Sequence, residues 1–478
     1  MLGNDLTVPG LLFVRASTLA PFTLPLMSSI AERVSGESPV GASDRATAQE
    51  LSQVLADVRE RTAMLVAPLS DEDATTQHDP LMSPVVWDLG HIAGFEELWL
   101  LRHLERPLEG LASIGEMPGL FNPFEHPRRT RGGLTLPGLR ETWDILTEVR
   151  SKVLDRLDHV DLAPDAPPLT RDGYVYHMVA QHEAQHGETI LQTMQLKRGA
   201  PYRPLGRGVV PSPRPVADGM VRFPGGRVAI GTDDRRVAYD NERPRHQIDS
   251  AAFDIDVTPV TNGAYLEFIG AGGYASSRWW SPEGWAWRAE SQVEAPKHWF
   301  CEGDEWWTRT FDRVHRVDPS HPVVHVSYYE ADAFARWAGK RLPTEVEWEA
   351  AATWDPDSDS QRLWPWGERP ATASQANIDQ VMFGTAPVGA YARNVSPIGC
   401  YGMIGDVWEW TMSDFGPYPG FTSFPYREYS EAFFGSEYKV LRGGSWATRA
   451  LASRSTFRNW DYPIRRQIFS GFRCVRDA

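Results

Sequence analysis

Two histidines stand four residues apart in His182-Glu183-Ala184-Gln185-His186-Gly187-Glu188. On an α-helix that spacing puts both rings on one face, where they can hold a single ion. A third, His91, lies in VVWDLGHIAGFEELWLLRHL, one turn after Trp87 and Asp88. Three imidazoles leave coordination positions open for chemistry, and imidazole suits iron, zinc, copper and nickel alike. The spacing has a plainer reading as well, because HxxxH is common on solvent-facing helices. Glu188, six residues past His182 and off its face, reads as a partner orienting an imidazole rather than as a fourth ligand. His103, His126, His159 and His177 read as ordinary polar residues.

Helices must position such a triad, and the first half supplies them. Apolar residues recur at helical spacing over residues 46–65, 84–104, 139–157 and 174–196. Four such segments predict a helical bundle, in which ligands converge from different helices. The connection over residues 105–137 is long and rich in Pro and Arg. Five prolines between residues 201 and 215 then end helical structure and mark a linker. Beyond it, short β-rich runs alternate with Gly and Pro: VRFPGGRVAIG, FDIDVTPVTN, PVVHVSYY, VLRGGSW and SGFRCV. Two helices are expected there, at residues 262–270 and 330–337. The fold class is therefore α+β: a four-helix bundle over residues 46–200, a linker at 201–218, and a mixed domain with much irregular structure over 219–478.

Composition narrows the function classes. The chain has 478 residues and a net charge of −15, which disfavours nucleic acid and polybasic membrane anchoring. No stretch reaches about 18 uninterrupted apolar residues, so no membrane span is expected. Three cysteines cannot build a disulfide framework, and a reducing cytoplasm fits. The 19 Trp, beside 40 Gly and 37 Pro, predict a loop-rich fold held by buried aromatics. Residues 1–44 read as a disordered extension without the pattern of a signal peptide, and Met27 as a possible alternative start. A monomer is the default expectation.

Longer motifs carry a family resemblance. HEAQHGE, with PLMSPVVWDLGHIAGFEELWLLR upstream, resembles the DinB-like, iron-binding helical domain of the ergothioneine-pathway sulfoxide synthases. The second half resembles the formylglycine-generating-enzyme (sulfatase-modifying factor, C-type-lectin-like) fold through DNERPRH, PVTNGAY, RLPTEVEWEAA, PWG, GDVWEWT, RGGSW and GFRC. The resemblance covers residues 46–478. One departure is informative: residues 445–470, where formylglycine-generating enzymes carry a reactive cysteine pair, contain no cysteine. Thiol-based oxidation of a sulfatase is not expected, and the metal site must carry the chemistry.

The resemblance implies a non-haem Fe(2+) oxygenase joining hercynine to γ-L-glutamyl-L-cysteine with O₂, giving γ-glutamyl-hercynylcysteine S-oxide and water. It implies His91, His182 and His186 as iron ligands and Tyr426, in PYREYS, as proton donor. Gln185 and Asn459 would surround hercynine, and Trp460 would offer a face to its quaternary ammonium or simply pack. Arg128 and Arg131, in HPRRTR, with Asp461 and Arg465, in NWDYPIRRQ, would recognise the dipeptide's carboxylates and ammonium. HPRRTR by itself reads as a solvated basic loop. Free cysteine as the thiol donor, a zinc-dependent thiol transferase and a non-enzymatic binding module are the alternatives.

Overall fold

A computed structural model describes residues 47–105 and 119–478; the expected extension at residues 1–44 lies outside them. Thr47 opens α1 (Ala48–Val66) with a capping box to Glu50, and Ser70 does the same with Asp73 for α2 (Asp71–Thr75). α3 (Val85–Glu97) runs on through a π-turn at Leu98–Arg102. α4 (Leu139–Leu157) and α5 (Tyr174–Gln195) complete the bundle. The four long helices fall where the apolar periodicity places them. α4 keeps a polar outer face, whereas α3 and α5 are buried on nearly every side. Such all-round burial marks an interior helix, and here the second half covers what the bundle leaves open.

Between the helices lies a closed ring of charge. Arg59 donates to Glu183 (2.8 Å) and Glu96 (2.8 Å), and Arg150 donates to Glu96 (2.5 Å) and Glu183 (3.1 Å). Each guanidinium meets both carboxylates, so four helices are tied in one register. Removing one partner of such a group costs about 3–5 kcal/mol, since the others stay buried and unpaired.

The second half begins with β1 (Met220–Phe223), β2 (Gly226–Ile230), β3 (His246–Ser250) and β4 (Phe253–Asp256). Next come α6 (Asn262–Gly270), α7 (Pro282–Ser291) and a sheet of β5 (Trp299–Glu302), β6 (Glu305–Thr310) and β7 (Arg313–Arg316). α8 (Tyr328–Trp337), α9 (Glu345–Thr353) and the short pair β8 (Trp354–Asp355) and β9 (Ser360–Gln361) follow. The chain ends in β10 (Trp408–Phe415), β11 (Gly435–Arg442), β12 (Asn459–Asp461), β13 (Ser470–Gly471) and β14 (Val475–Asp477). The largest sheet has the order β12-β11-β10-β13, and a smaller one β1-β4-β14. Both expected helices form, as α6 and within α8. PVVHVSYY is not a strand: Ser327 and Glu330 form a capping box that starts α8 at Tyr328. α9 was not expected, although Thr344 and Glu347 in RLPTEVEWEAA carry the same capping signal.

Aromatic burial holds this domain, as the composition predicts, with Trp348, Trp410 and Trp446 almost fully enclosed. Buried arginines do as much. Arg442 pairs with Glu349 (2.5 Å), Arg458 with both oxygens of Glu345 (2.8 Å each), and Arg473 with both of Glu409 (2.7 and 2.8 Å). The motifs RLPTEVEWEAA, GDVWEWT, RGGSW and GFRC are therefore fastenings among α9, the strands and the loops.

Candidate metal centre and adjoining cavity

The triad forms where α3 meets α5. One ring nitrogen from each of His91, His182 and His186 lies within 4.8 Å of the others. His91 Nε2 and His182 Nε2 are 3.2 Å apart. Two imidazole donors each about 2.1 Å from one ion, at right angles, would stand about 3.0 Å apart. Phe121 O, 3.0 Å from His91 Nδ1, accepts that ring's proton and leaves Nε2 facing the centre. Asp88 Oδ1, 3.2 Å from His186 Nδ1, does the same for the third ring. Burial and the neighbouring His186 hold His91 and His182 well below the usual histidine range, so both are neutral and able to coordinate. Three imidazole nitrogens converging without a carboxylate among them fit a divalent transition metal.

Aromatic walls fix the rings. Trp87 stacks on His91 with centroids 5.1 Å apart, and Phe95 on His182 at 3.7 Å. Gly90 lets the loop approach that supplies Phe121: a Cβ there would meet the Phe121 ring at 2.3 Å. Glu188 does not orient an imidazole. It reaches into the second half and accepts from Trp408 Nε1 (2.8 Å), Ser445 Oγ (2.9 Å) and Thr448 Oγ1 (2.8 Å). Burial raises its carboxyl, and those three donors pull the other way.

A cavity of about 270 Å³ opens between α5 and the second half, with Ala184 and Gln185, which lie between His182 and His186 in the sequence, in its wall. Gln185, Asn459, Trp460, Asp461 and Arg128 stand in its wall. Pairing with β11 places β12, so Leu441 lies opposite Asn459 and Lys439 opposite Asp461. Trp460 is stacked on Phe415 at 4.1 Å and turns an edge-to-face contact toward Tyr429. Tyr429, missed in the sequence reading, also lines the cavity, and its hydroxyl accepts from Gln185 Nε2 (3.2 Å). The signal was present, since Tyr426 and Tyr429 share the motif PYREYS.

The remaining expected residues are placed unequally. Tyr426 is buried outside the cavity wall, 5.0 Å from Trp99 and 6.2 Å from Phe95 between ring centroids, so Phe95 lies between it and His182. Burial raises its phenol well above the ordinary value, leaving it protonated. Arg465 pairs with Asp461 (3.2 Å) and keeps a buried Nη1 without an acceptor among the described residues. Burial raises the Asp461 carboxyl while Arg465 and Arg128 oppose that shift. Arg128 is exposed. Arg131 is buried and stands apart from the cavity: its guanidinium lies 3.3 Å over Trp87, with Nε on His126 O and Nη1 on Ser83 Oγ.

Similarity to known proteins fits this geometry. Residues 55–190 match the DinB superfamily and residues 207–478 the Sulfatase-modifying factor enzyme 1-like domain. A hercynine oxygenase of Mycolicibacterium thermoresistibile is 46% identical over 90% of this chain and 95% of its own length. The hercynine oxygenase of Mycobacterium tuberculosis is 45% identical over 90% of this chain and 99% of its own. The chain belongs to the hercynine oxygenase family. Membership makes it an oxidoreductase of the oxygenase class. A formylglycine-generating enzyme of Thermomonospora curvata is 36% identical over 42% of this chain, so that likeness is confined to part of the hercynine oxygenase architecture. The three cysteines are free thiols, with Cys400 and Cys474 buried. No helix among the described residues is long and apolar enough to cross a membrane.

Proposed function

We propose that the protein is the hercynine-modifying oxygenase of ergothioneine formation, uses Fe(2+) and O₂, and takes γ-L-glutamyl-L-cysteine as its thiol. The reaction replaces an imidazole C–H and a thiol S–H by a C–S bond. One oxygen atom goes to the sulfoxide and the other leaves as water. His91, His182 and His186 would hold the iron, which supplies redox contact with O₂ and open positions for the reactants. The supporting observation is that one helix, α5, carries His182 and His186 and also, with Ala184 and Gln185 between them, part of the wall of a cavity lined by both apolar and charged side chains. In its wall stand Gln185, Asn459, Tyr429 and Trp460: amides for a carboxylate or imidazole, aromatic rings for a quaternary ammonium. The same wall holds Asp461, paired with Arg465, and Arg128. An aspartate with arginines is what an amino-acid headgroup at the γ-glutamyl end needs.

Tyr426, one ring from His182 and held protonated, is assigned to deliver a proton where oxygen is reduced. Arg131 is assigned to hold the Arg128 loop against Trp87. Trp460 stacks one face on Phe415, and its other face is assigned to the ammonium. The buried Arg465 Nη1, without an acceptor among the described residues, is assigned to a carboxylate of the thiol substrate.

Protein loaded anaerobically with Fe(2+) and given hercynine, O₂ and either thiol tests the reading. The expected result is the S-oxide of γ-glutamyl-hercynylcysteine, with kcat/KM for the dipeptide well above that for cysteine. A zinc-loaded protein turning over without oxygen uptake would overturn the oxygenase chemistry. Equal or better use of cysteine would overturn the dipeptide alone.

A further inference from the structure

DNERPRH, prominent in the sequence, touches neither the triad nor the cavity wall. Its place is behind the two tyrosines. Phe424 to Ser430 is an irregular segment with no helix or strand of its own, yet it carries Tyr426 and Tyr429. Asp240 holds it at both ends. One carboxylate oxygen accepts from Phe424 N (3.0 Å), the other from Ser430 Oγ. Asn241 Nδ2 donates to the same Ser430 Oγ (3.0 Å), which favours the serine proton going onward to Asp240. Asp240, Asn241 and Ser430 are at most 1% exposed, so water cannot replace these bonds.

The neighbouring residue makes the matching connection to the metal helix. Glu242 accepts from Arg454 Nε (2.8 Å) and Nη2 (2.6 Å), and Arg454 Nη1 donates to Gln181 (2.7 Å), the residue before His182. One short stretch of backbone is thus referenced both to the tyrosine segment and to α5.

We propose that Asp240 is a positioning residue for the oxygenase reaction: by clamping both ends of the 424–430 segment it sets Tyr426 where its ring packs on Phe95 and Trp99, one ring away from His182. This rests on the function proposed above for Tyr426. Two donors aimed at one side chain require two acceptor oxygens, which is why an aspartate serves and an asparagine does not. With asparagine, one oxygen remains, and either Phe424 N–H or the Ser430 proton loses its acceptor. Burial pushes the Asp240 carboxyl up to about 6, still ionised at neutral pH with both oxygens available.

The test uses full-length, iron-loaded protein with Asp240→Asn, and with Ser430→Ala as a milder variant that releases one end only. Displacing a reacting group by about an ångström can cost roughly 10²-fold. Asp240→Asn is expected to lower kcat for C–S bond formation by about 10–100-fold with iron content unchanged, and Ser430→Ala by less. In a Tyr426→Phe background neither variant should lower kcat further, because the clamp acts through that hydroxyl. Penalties that multiply in the double variants would overturn the proposal. So would wild-type kcat in both single variants. If Asp240→Asn does not fold, the Ser430→Ala cycle decides by the same criteria. Amide exchange without substrates separates this idea from the function it rests on. Faster exchange across residues 424–430, with α5 and β10 unchanged, supports the clamp even if the wild type makes no C–S product, and unchanged exchange in both variants overturns it.

Discussion

The two walls of the site are built by different means. The metal wall stands on α3 and α5, where helical geometry alone puts His182 and His186 on one face and the charge ring of Arg59, Arg150, Glu96 and Glu183 fixes the register. The opposite wall is short strand, turn and loop, held by bonds between residues far apart in the chain, such as Asp240 to Ser430 and Glu188 to Ser445. A wall of helices tolerates loss of a ligand without losing its shape. A wall of loops depends on each fastening.

The strongest way to break this contrast is at the metal. His182→Ala should abolish stoichiometric iron and turnover, while circular dichroism and thermal melting of the apo protein stay near wild type, because the charge ring is untouched. Full iron occupancy in that variant would remove the triad assignment. Next is Tyr426→Phe, which deletes a hydroxyl and keeps the ring packing on Trp99. C–S bond formation should slow by about 10²–10⁴-fold, read by product analysis, with O₂ still consumed in oxidising the thiol. An unchanged sulfoxide yield would place the proton source elsewhere.

A third comparison lies inside the loop wall. Arg465→Ala leaves Asp461 without its arginine and should weaken the dipeptide by about 2–5 kcal/mol, seen as a raised KM with hercynine little affected. Arg128 is exposed, so Arg128→Ala should cost no more than about 1 kcal/mol. The reverse ranking would mean that the HPRRTR loop closes over the substrate. A last comparison is in pH. Burial holds His177, in the bundle, down to about 4 and His325, in the second half, down to about 3. Both stay neutral when folded, whereas unfolded histidine takes up a proton near pH 6.5. The unfolded state then binds more protons, so stability falls as pH drops below about 6.5, by at most about 1.4 kcal/mol per unit for each ring. Denaturant titrations of apo protein at pH 7 and 5.5 measure it.

Legibility from sequence follows the same division. The helices, the triad and the fold class are local or periodic and could be read. Asp88 as the partner of His186 could not, because a helix face says nothing of which neighbour it meets; Glu188 was the natural guess and proved to face the second half. Tyr429 and the burial of Arg131 depend on how loops cross, as does the strandless course of PVVHVSYY into α8. The motifs that carried the resemblance are mostly buried Arg–Glu pairs such as Arg442 with Glu349, joined across 93 residues that leave no local pattern.

Glu188 has one more consequence, for insertions and deletions. It stands two residues past His186 on the same helix, and its three donors belong to the second half. A single residue added between His186 and Glu188 would turn the helix beyond it by about 100°. Either the carboxylate would swing away from Trp408, Ser445 and Thr448, or the whole imidazole face would rotate to keep it there. Lengths elsewhere in the chain, in the linker or the outer loops, can drift without touching either. The stretch from His182 to Glu188 is a fixed ruler, and exchange of either half between relatives can succeed only where that ruler is kept.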